Sequence, residues 1–360
     1  MEELSSAVSM FRNHPPTKER LLDRTSPQAQ MNQLISGYMQ TQAVYVAAKL
    51  GIADLLTQGS RTAEDLAQAT KMHAPSLFRL LRALASLGVF AEDESSRFSL
   101  TPMAECLRSD VPGSQRALAI MSGEEHFRAW GELLYSVQTG KTSFDKLYGM
   151  PIFDFLSQNL EQAKVFDAAM VGVHGRETAA MTDAYDFSRI GVLADVGGGN
   201  GSLLSAVLRT YPAMKGMLYD LPGVIERAKA GIQAAGLADR CKVIGGSFFV
   251  SIPEGADAYL MRHIIHDWDD EKSLTILRNV YRAMKPDAKL LVIEGVIPPG
   301  NDPCFGKLLD LTMLTLPGGK ERTEDEYRAL FRAGGFELTR IVPTQAEVSV
   351  IEGKKLPHHS

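Results

Sequence analysis

The residues able to do chemistry gather in three short stretches. The first is Leu193 to Ser202, L-A-D-V-G-G-G-N-G-S, where Asp195 ends an apolar run and Gly197, Gly199 and Gly201 follow at alternate positions. Such a turn needs glycine because its backbone takes conformations closed to other residues and approaches a ligand closely. The helix N-terminus behind it favours a negatively charged group. The second stretch, Met261 to Asp270, reads M-R-H-I-I-H-D-W-D-D and sets two histidines three apart ahead of an acidic helix start. His266 fits a general base, since the ordinary pKa of histidine lies near neutrality. A carboxylate would orient it and stabilise the imidazolium. Glu294, ending L-L-V-I-E, is one source of that carboxylate, and Glu321, in the third stretch P-G-G-K-E-R-T, is another. His266 has a second reading as a packed or surface histidine. No Cys or His cluster completes a ligand set with His263 and His266, so no metal is expected.

Composition bounds what these stretches can serve. With 360 residues the chain has room for two domains and a sizeable core. A formal net charge of -5 and the lack of a Lys/Arg block argue against a protein whose affinity rests on neutralising phosphates. Cys106, Cys241 and Cys304 lie far apart without metal-ligand spacing, which points to a reduced, cytoplasmic setting. The N-terminus has neither a basic n-region nor an apolar h-region, and no apolar run approaches the ~20 residues of a membrane span. No membrane association is expected, and residues 1–25, largely polar, read as a flexible segment or as one that docks on a partner subunit.

The elements that must position the chemistry follow from periodicity. From Met31 to about Arg108 the apolar spacing is helical, with Thr62 as an N-cap answered by Asp65 and a helix over about 75–87 stopped by Gly88. Val89-Phe90 and Arg97–Leu100 alternate around a polar turn and read as a hairpin. Helix, turn, helix and hairpin make a winged-helix unit over 26–110. A DNA-binding version would need a basic recognition helix, but Ser76–Leu87 carries only Arg79 and Arg82 among leucines. A dimerisation or packing role is therefore preferred, with no nucleic-acid partner. Residues 111–185 read as further helices. From there to about 355, strand candidates at Val192–Val196, Gly216–Tyr219, Cys241–Ile244, Ala256–Met261 and Leu290–Ile293 alternate with helices. Late strands fall near Glu337–Val342 and Val348–Val350. The expected fold is α/β, a Rossmann-like, mostly parallel sheet with helices on both faces, after a mainly α-helical winged-helix dimerisation domain.

In such a sheet the ligand sits beyond the carboxyl ends of the strands. A dinucleotide fingerprint would want a glycine at position 202, which is Ser202. The spacing turns from NAD toward the other common nucleoside ligand of these sheets, S-adenosylmethionine. Asp220 ends the second strand, roughly 20 residues past the glycines, where a carboxylate accepts bonds from ribose hydroxyls. A cap for the helix that follows in D-L-P-G-V is the second reading, and ribose binding is preferred because the glycine turn accompanies it. Gly245-Gly246-Ser247-Phe248 ends the third strand and offers a glycine backbone and an aromatic face to an adenine, or a plain turn followed by core phenylalanines.

D-V-G-G-G-N-G, Y-D-L-P-G-V-I, H-D-W-D-D-E and P-G-G-K-E-R-T, in that order, resemble the class I S-adenosylmethionine-dependent O-methyltransferases of the plant caffeate/hydroxyindole type and their bacterial natural-product relatives. The likeness runs from about residue 30 to 350. It implies a homodimer built by the N-terminal domain, and release of S-adenosylhomocysteine. By that likeness Asp195, Gly197, Gly198 and Gly199 face the cofactor, Asp220 and Leu221 hold the ribose, and Gly246, Ser247 and Phe248 flank the adenine. Arg262 stands where the family often has a lysine. His266 matches the base, with Glu294 and Glu321 beside it, and Phe166, Met170, His263, Asp267 and Met313 match acceptor-pocket positions. The chain departs from the family at Ser247, where many members carry an acidic residue. Some bacterial relatives keep fold and cofactor but hydroxylate or decarboxylate; retention of His266, Glu294 and Glu321 favours methyl transfer. The expected reaction is an in-line displacement on a small aromatic hydroxyl deprotonated by His266. Phe127, Trp130, Phe166 and the methionines suit a flat, apolar phenol or polycyclic acceptor.

Overall fold

Local signals set the helices of the N-terminal layer. The structure is a computed structural model that describes residues 26–357; the expected flexible segment 1–25 lies outside them. Ser26 accepts a bond from Ala29 N and Pro27 opens α1 (Pro27–Ile35), followed by α2 (Gly37–Leu50), which stops at Gly51 with φ 67°, and α3 (Ile52–Leu55). After β1 (Arg61–Thr62), Thr62 and Asp65 form the capping box that their spacing predicts, starting α4 (Ala63–Thr70). α5 (Ala74–Ser86) turns Leu77, Leu81 and Leu84 inward on one stripe. β2 (Phe90–Glu92) and β3 (Arg97–Leu100) form the expected antiparallel hairpin, and β1 adds to it in the order β1-β3-β2. This layer has its own apolar cluster, which includes Ile52, Leu66, Leu81, Phe90 and Phe98. Met31, Leu34, Ile35, Tyr38 and Met39 of α1 and α2 stay exposed, Leu34 at 76%.

A helical middle connects this layer to the sheet. After α6 (Pro102–Glu105) come α7 (Arg116–Gly123), α8 (Glu125–Gly131), α9 (Leu133–Thr139), α10 (Ser143–Tyr148), α11 (Ile152–Gln158) and the long α12 (Leu160–Ala184). α12 touches both ends of the molecule. Near its centre a Cβ at Gly172 would lie 2.4 Å from the Ser114 carbonyl oxygen, so only glycine lets the loop before α7 come so close. At its far end Met181 packs into the core beneath the sheet.

The sheet has seven strands: β4 (Val192–Val196), β5 (Lys215–Asp220), β6 (Cys241–Gly245), β7 (Ala258–Arg262), β8 (Lys289–Glu294), β9 (Phe336–Pro343) and β10 (Ser349–Lys355), in the order β6-β5-β4-β7-β8-β10-β9. The first five in that order are parallel, and β10 runs antiparallel to both β8 and β9. α13 (Ser202–Thr210), α14 (Pro222–Ala234), α15 (Asp270–Ala283), α16 (Gly306–Thr315) and α17 (Glu324–Ala333) complete the chain. Alternation along the strands divides the core in two. Ala194, Val196, Met261 and Val292 meet α15 and α17 on one face, while Leu193, Leu218, Leu260 and Ile293 meet α12, α13 and α14 on the other. β4 and β5 lead the chain one way and β7 resumes on the other side of β4. The strand order therefore reverses at the carboxyl ends of β4 and β7, where a ligand crevice belongs.

β10 runs past the expected Val348–Val350 because its second half, Glu352–Lys355, is polar. Glu352 is buried and takes hydrogen bonds from Tyr185 Oη at 2.5 Å and from Lys289 Nζ and Arg340 Nη2 at 3.0 Å each. Those partners come from remote elements, so no local pattern announces them.

Candidate active site

The glycine loop leaves β4 with Gly197, Gly199 and Gly201 all at positive φ (73°, 58° and 76°). Three of its glycines are hemmed in by the protein itself, Gly201 because a Cβ there would lie 2.9 Å from both Ile232 Cδ1 and Leu218 Cδ2. A Cβ at Gly197 would lie 2.3 Å from Ile264 Cδ1, and one at Gly198 would lie 2.7 Å from the Asp195 carboxylate. At Gly199 no atom comes within 4 Å of that position, so the backbone there is open to a ligand. Asp220 ends β5 against this loop, its Oδ2 accepting from Gly199 N at 2.8 Å and its Oδ1 from Leu221 N at 2.6 Å. Burial raises its pKa. A carboxylate fixed by amides keeps lone pairs free for hydroxyl donors, and the open Gly199 backbone lies beside it. That donor and acceptor set fits the ribose end of a nucleoside.

Other residues expected at this site are more enclosed. Asp195 lies in the core, its Oδ2 without a hydrogen-bond partner, and burial pushes its pKa up to about 7. A Cβ at Gly246 would lie 2.5 Å from the Tyr219 hydroxyl, so packing alone already demands glycine there. Ser247 Oγ accepts from Phe249 N at 3.3 Å, and Phe248 meets Phe249 and Trp268 edge-on. Arg262 donates to Thr178 Oγ1 of α12 at 2.9 Å.

His266 sits on a 3₁₀ turn (Ile265–Asp267) just beyond β7 and is 6% exposed. Its Nδ1 lies 2.6 Å from Glu321 Oε1, and its Nε2 lies 3.5 Å from Asp267 Oδ1. The two carboxylates proposed to orient it thus have different places. Glu321 meets the imidazole. Glu294, fully buried, accepts instead from the main-chain N–H groups of Ile264, Ile265 and His266 at 3.1, 2.7 and 3.1 Å, while Tyr327 Oη donates to its other oxygen at 2.5 Å. Burial pushes the His266 pKa down, but Asp267, the Glu321 hydrogen bond and Glu294 outweigh it and raise it to about 10. The folded value lies above the ordinary 6.5, so this pairing stabilises fully below about pH 6.5 and that contribution is lost as pH rises toward 10. Burial also raises Asp267 to about 7.

Two residues that sequence reasoning missed complete the turn. Arg322, fully buried, donates to the carbonyls of Ile265 at 3.1 Å and Trp268 at 3.0 Å and pairs with Asp270 at 2.8 Å. Its only signal was its place beside Glu321 in K-E-R-T. Tyr327 gave no signal. Gly319 shows how tightly the two segments meet: a Cβ there would lie 2.0 Å from the His266 carbonyl oxygen. Asp310 on α16 then fixes Glu321 by accepting its N–H at 2.9 Å.

The acceptor side is less concentrated. Phe166 and Met170 lie on α12, and Met313, buried, on α16. Phe153 of α11, absent from the sequence reading, contacts Phe166 at 6.4 Å and Trp268 at 5.6 Å between ring centroids, which joins α12 to the His266 turn. His263 is turned away from the strand at φ 53°, with Nε2 2.9 Å from Glu177 Oε2 of α12.

Known proteins resemble this chain over most of its length. Residues 130–337 match the O-methyltransferase domain family and residues 32–110 the O-methyltransferase dimerisation domain. A phenazine O-methyltransferase, PhzM of Lysobacter antibioticus, is 47% identical over 324 residues, 90% of this chain and 95% of the relative. The crystal structure of LaPhzM superposes with a TM-score of 0.89 at 46% identity, over 91% of this chain and 99% of that one. An O-methyltransferase from neocarzinostatin biosynthesis, NcsB1, solved with S-adenosylmethionine and 2-hydroxy-5-methyl naphthoic acid, gives a TM-score of 0.80 at 34% identity, over 88% and 96% of the two chains. Among the described residues no helix is long and apolar enough to cross a membrane. The dimerisation match covers most of the exposed apolar residues of α1 and α2. By motif order, site geometry and these matches, the chain belongs to the S-adenosylmethionine-dependent O-methyltransferases and is a homodimeric methyltransferase.

Proposed function

We propose that the enzyme methylates a hydroxyl of a flat aromatic natural-product acceptor in the cytoplasm, with His266 as the base. The observation that carries this is the 2.6 Å contact between His266 Nδ1 and Glu321. A carboxylate on Nδ1 holds the proton there and leaves the Nε2 lone pair for the acceptor hydroxyl. Residues 26–110 serve as the dimerisation domain, 111–185 as the acceptor wall and 186–355 as the catalytic domain. Gly197, Gly198, Gly199, Asp220, Leu221, Gly246, Ser247, Phe248 and Arg262 hold the cofactor, with Asp195 supporting the loop from below. When bound, S-adenosylmethionine supplies a sulfonium methyl that the acceptor oxygen takes by in-line displacement, releasing S-adenosylhomocysteine. The protein's own part is to remove a proton from a hydroxyl whose ordinary pKa is about 10 and to fix the oxygen's approach. Phe166, Met170 and Met313 offer apolar surface for the ring, and Asp267 faces the Nε2 side of the base.

The test is label transfer from methyl-labelled S-adenosylmethionine to 1-hydroxyphenazine, hydroxynaphthoates and caffeate. An O-methyl ether is the expected product. Cofactor binding without labelled ether from any of them would favour the hydroxylating or decarboxylating alternative.

The pH profile tests the base itself. With His266 raised to about 10, kcat/KM should climb with pH through neutrality, because only the neutral imidazole accepts the proton. Glu321→Gln removes a charge that favours the imidazolium. The midpoint of that climb should fall by about 1–3 pH units with the same acceptor. A profile that does not move would remove Glu321 from the base.

A further inference from the structure

Among the described residues, two side-chain pairs join the end of β7 to α12. Arg262 Nη1 donates to Thr178 Oγ1 at 2.9 Å, and the next residue, His263, places Nε2 2.9 Å from Glu177 Oε2. The backbone is arranged for this. Leu260 packs beneath the sheet with Met181 of α12, and Arg262, two residues on, continues the same face to the strand end. There it meets Thr178, about one helical turn before Met181. His263 then takes a left-handed conformation, φ 53°, that a non-glycine residue adopts only at a cost. Burial, His266 and Arg262 hold the His263 pKa well down, so its ring is neutral and donates a single proton.

The same strand end faces the nucleoside loop. Leu260 pairs with Asp195 in the β4–β7 register, which puts Arg262 beside the first glycines of the loop. Arg262 feels the buried carboxylates of Asp195, under Gly198, and of Glu177 on α12. On the other side the imidazole rings of His263 and His266 lie 5.0 Å apart. α12 also carries Phe166 and Met170, about three and two turns before Glu177, and a helix transmits its orientation over that length.

We propose that Arg262–Thr178 and His263–Glu177 form a double tether through which filling the nucleoside site orders α12 and so builds the acceptor wall. This rests on the reading that the glycine loop holds S-adenosylmethionine. Glu177, Thr178 and His263 are then positioning residues. By reciprocity an acceptor held by α12 tightens the nucleoside by the same factor.

Hydrogen exchange of the full chain, with and without S-adenosylhomocysteine, reads the tether without needing an acceptor. In the unaltered enzyme the ligand should slow exchange along α12 by about tenfold, the scale of ordinary coupling between sites. Glu177→Leu and Thr178→Val should each lose most of that slowing while calorimetry still finds S-adenosylhomocysteine bound, weakened by no more than the roughly tenfold of the lost coupling. Glu177→Gln keeps an oxygen for the His263 N–H and should retain the slowing. Thr178→Val, on a half-buried side chain, carries the test if Glu177→Leu does not fold. Ligand bound with α12 unprotected, or protected equally in every variant, would overturn the tether. No calorimetric binding to the unaltered chain would instead overturn the nucleoside reading, and the tether with it.

Discussion

His266→Ala should lower kcat by about two orders of magnitude or more, the scale of general-base catalysis, and leave S-adenosylhomocysteine affinity unchanged. The expectation rests on where the side chain's neighbours are anchored. Glu294 and Arg322 hold the turn through main-chain N–H and carbonyl groups, which alanine retains. The turn therefore survives, and what disappears is the imidazole with its Glu321 contact. Acceptors of lower hydroxyl pKa should suffer less, since they need the base less. Turnover equal to the unaltered enzyme on a phenol of ordinary acidity would end the assignment of His266 as base.

Gly319→Ala should be nearly as damaging without touching a reacting group. Its Cβ would stand 2.0 Å from the His266 carbonyl oxygen, 2.3 Å from the Asp267 carbonyl carbon and 2.4 Å from Trp268 N. All three are backbone atoms of the turn that aims the base, so relief requires the turn to move. A displacement of about 1 Å in a site of this kind costs on the order of 100-fold in rate. Gly223→Ala is the internal control, because no atom lies within 4 Å of that position in the first turn of α14. Activity assays paired with thermal melts should show Gly319→Ala inactive and destabilised and Gly223→Ala close to unaltered. Full activity in Gly319→Ala would mean that the two segments do not meet so closely in solution.

Much of the frame is legible in the sequence for identifiable reasons. Val192–Val196 is found at both ends because an apolar run is cut off by Asp-x-Gly, and the Thr62 cap because its partner lies three residues away. Local signals of this kind survive folding. Glu294 shows where such reading stops. Its position at a strand end was evident, but that it would hold three main-chain N–H groups depends on how the chain turns after Arg262. Arg322 and Tyr327 are hidden for the same reason: their partners are backbone carbonyls and a buried carboxylate brought in by other elements. Glycine types were well flagged and their causes less so. Gly197 and Gly246 are required by Ile264 and Tyr219, neighbours set only by the packed sheet.

The place of β10 bears on how the enzyme is made. It lies between β8 and β9 but follows both along the chain, and Ser349 pairs with Glu294 itself. Until residues 349–355 have left the ribosome, β8 has a bare edge and β9 has no sheet to join. The N-terminal layer, with its own apolar cluster, can settle while synthesis continues. Nascent subunits can therefore meet through the dimerisation domain, residues 32–110, before either has a finished catalytic sheet. The open flank of β8 is in that interval a template for wrong pairing, a hazard that ends when the last strand slots in.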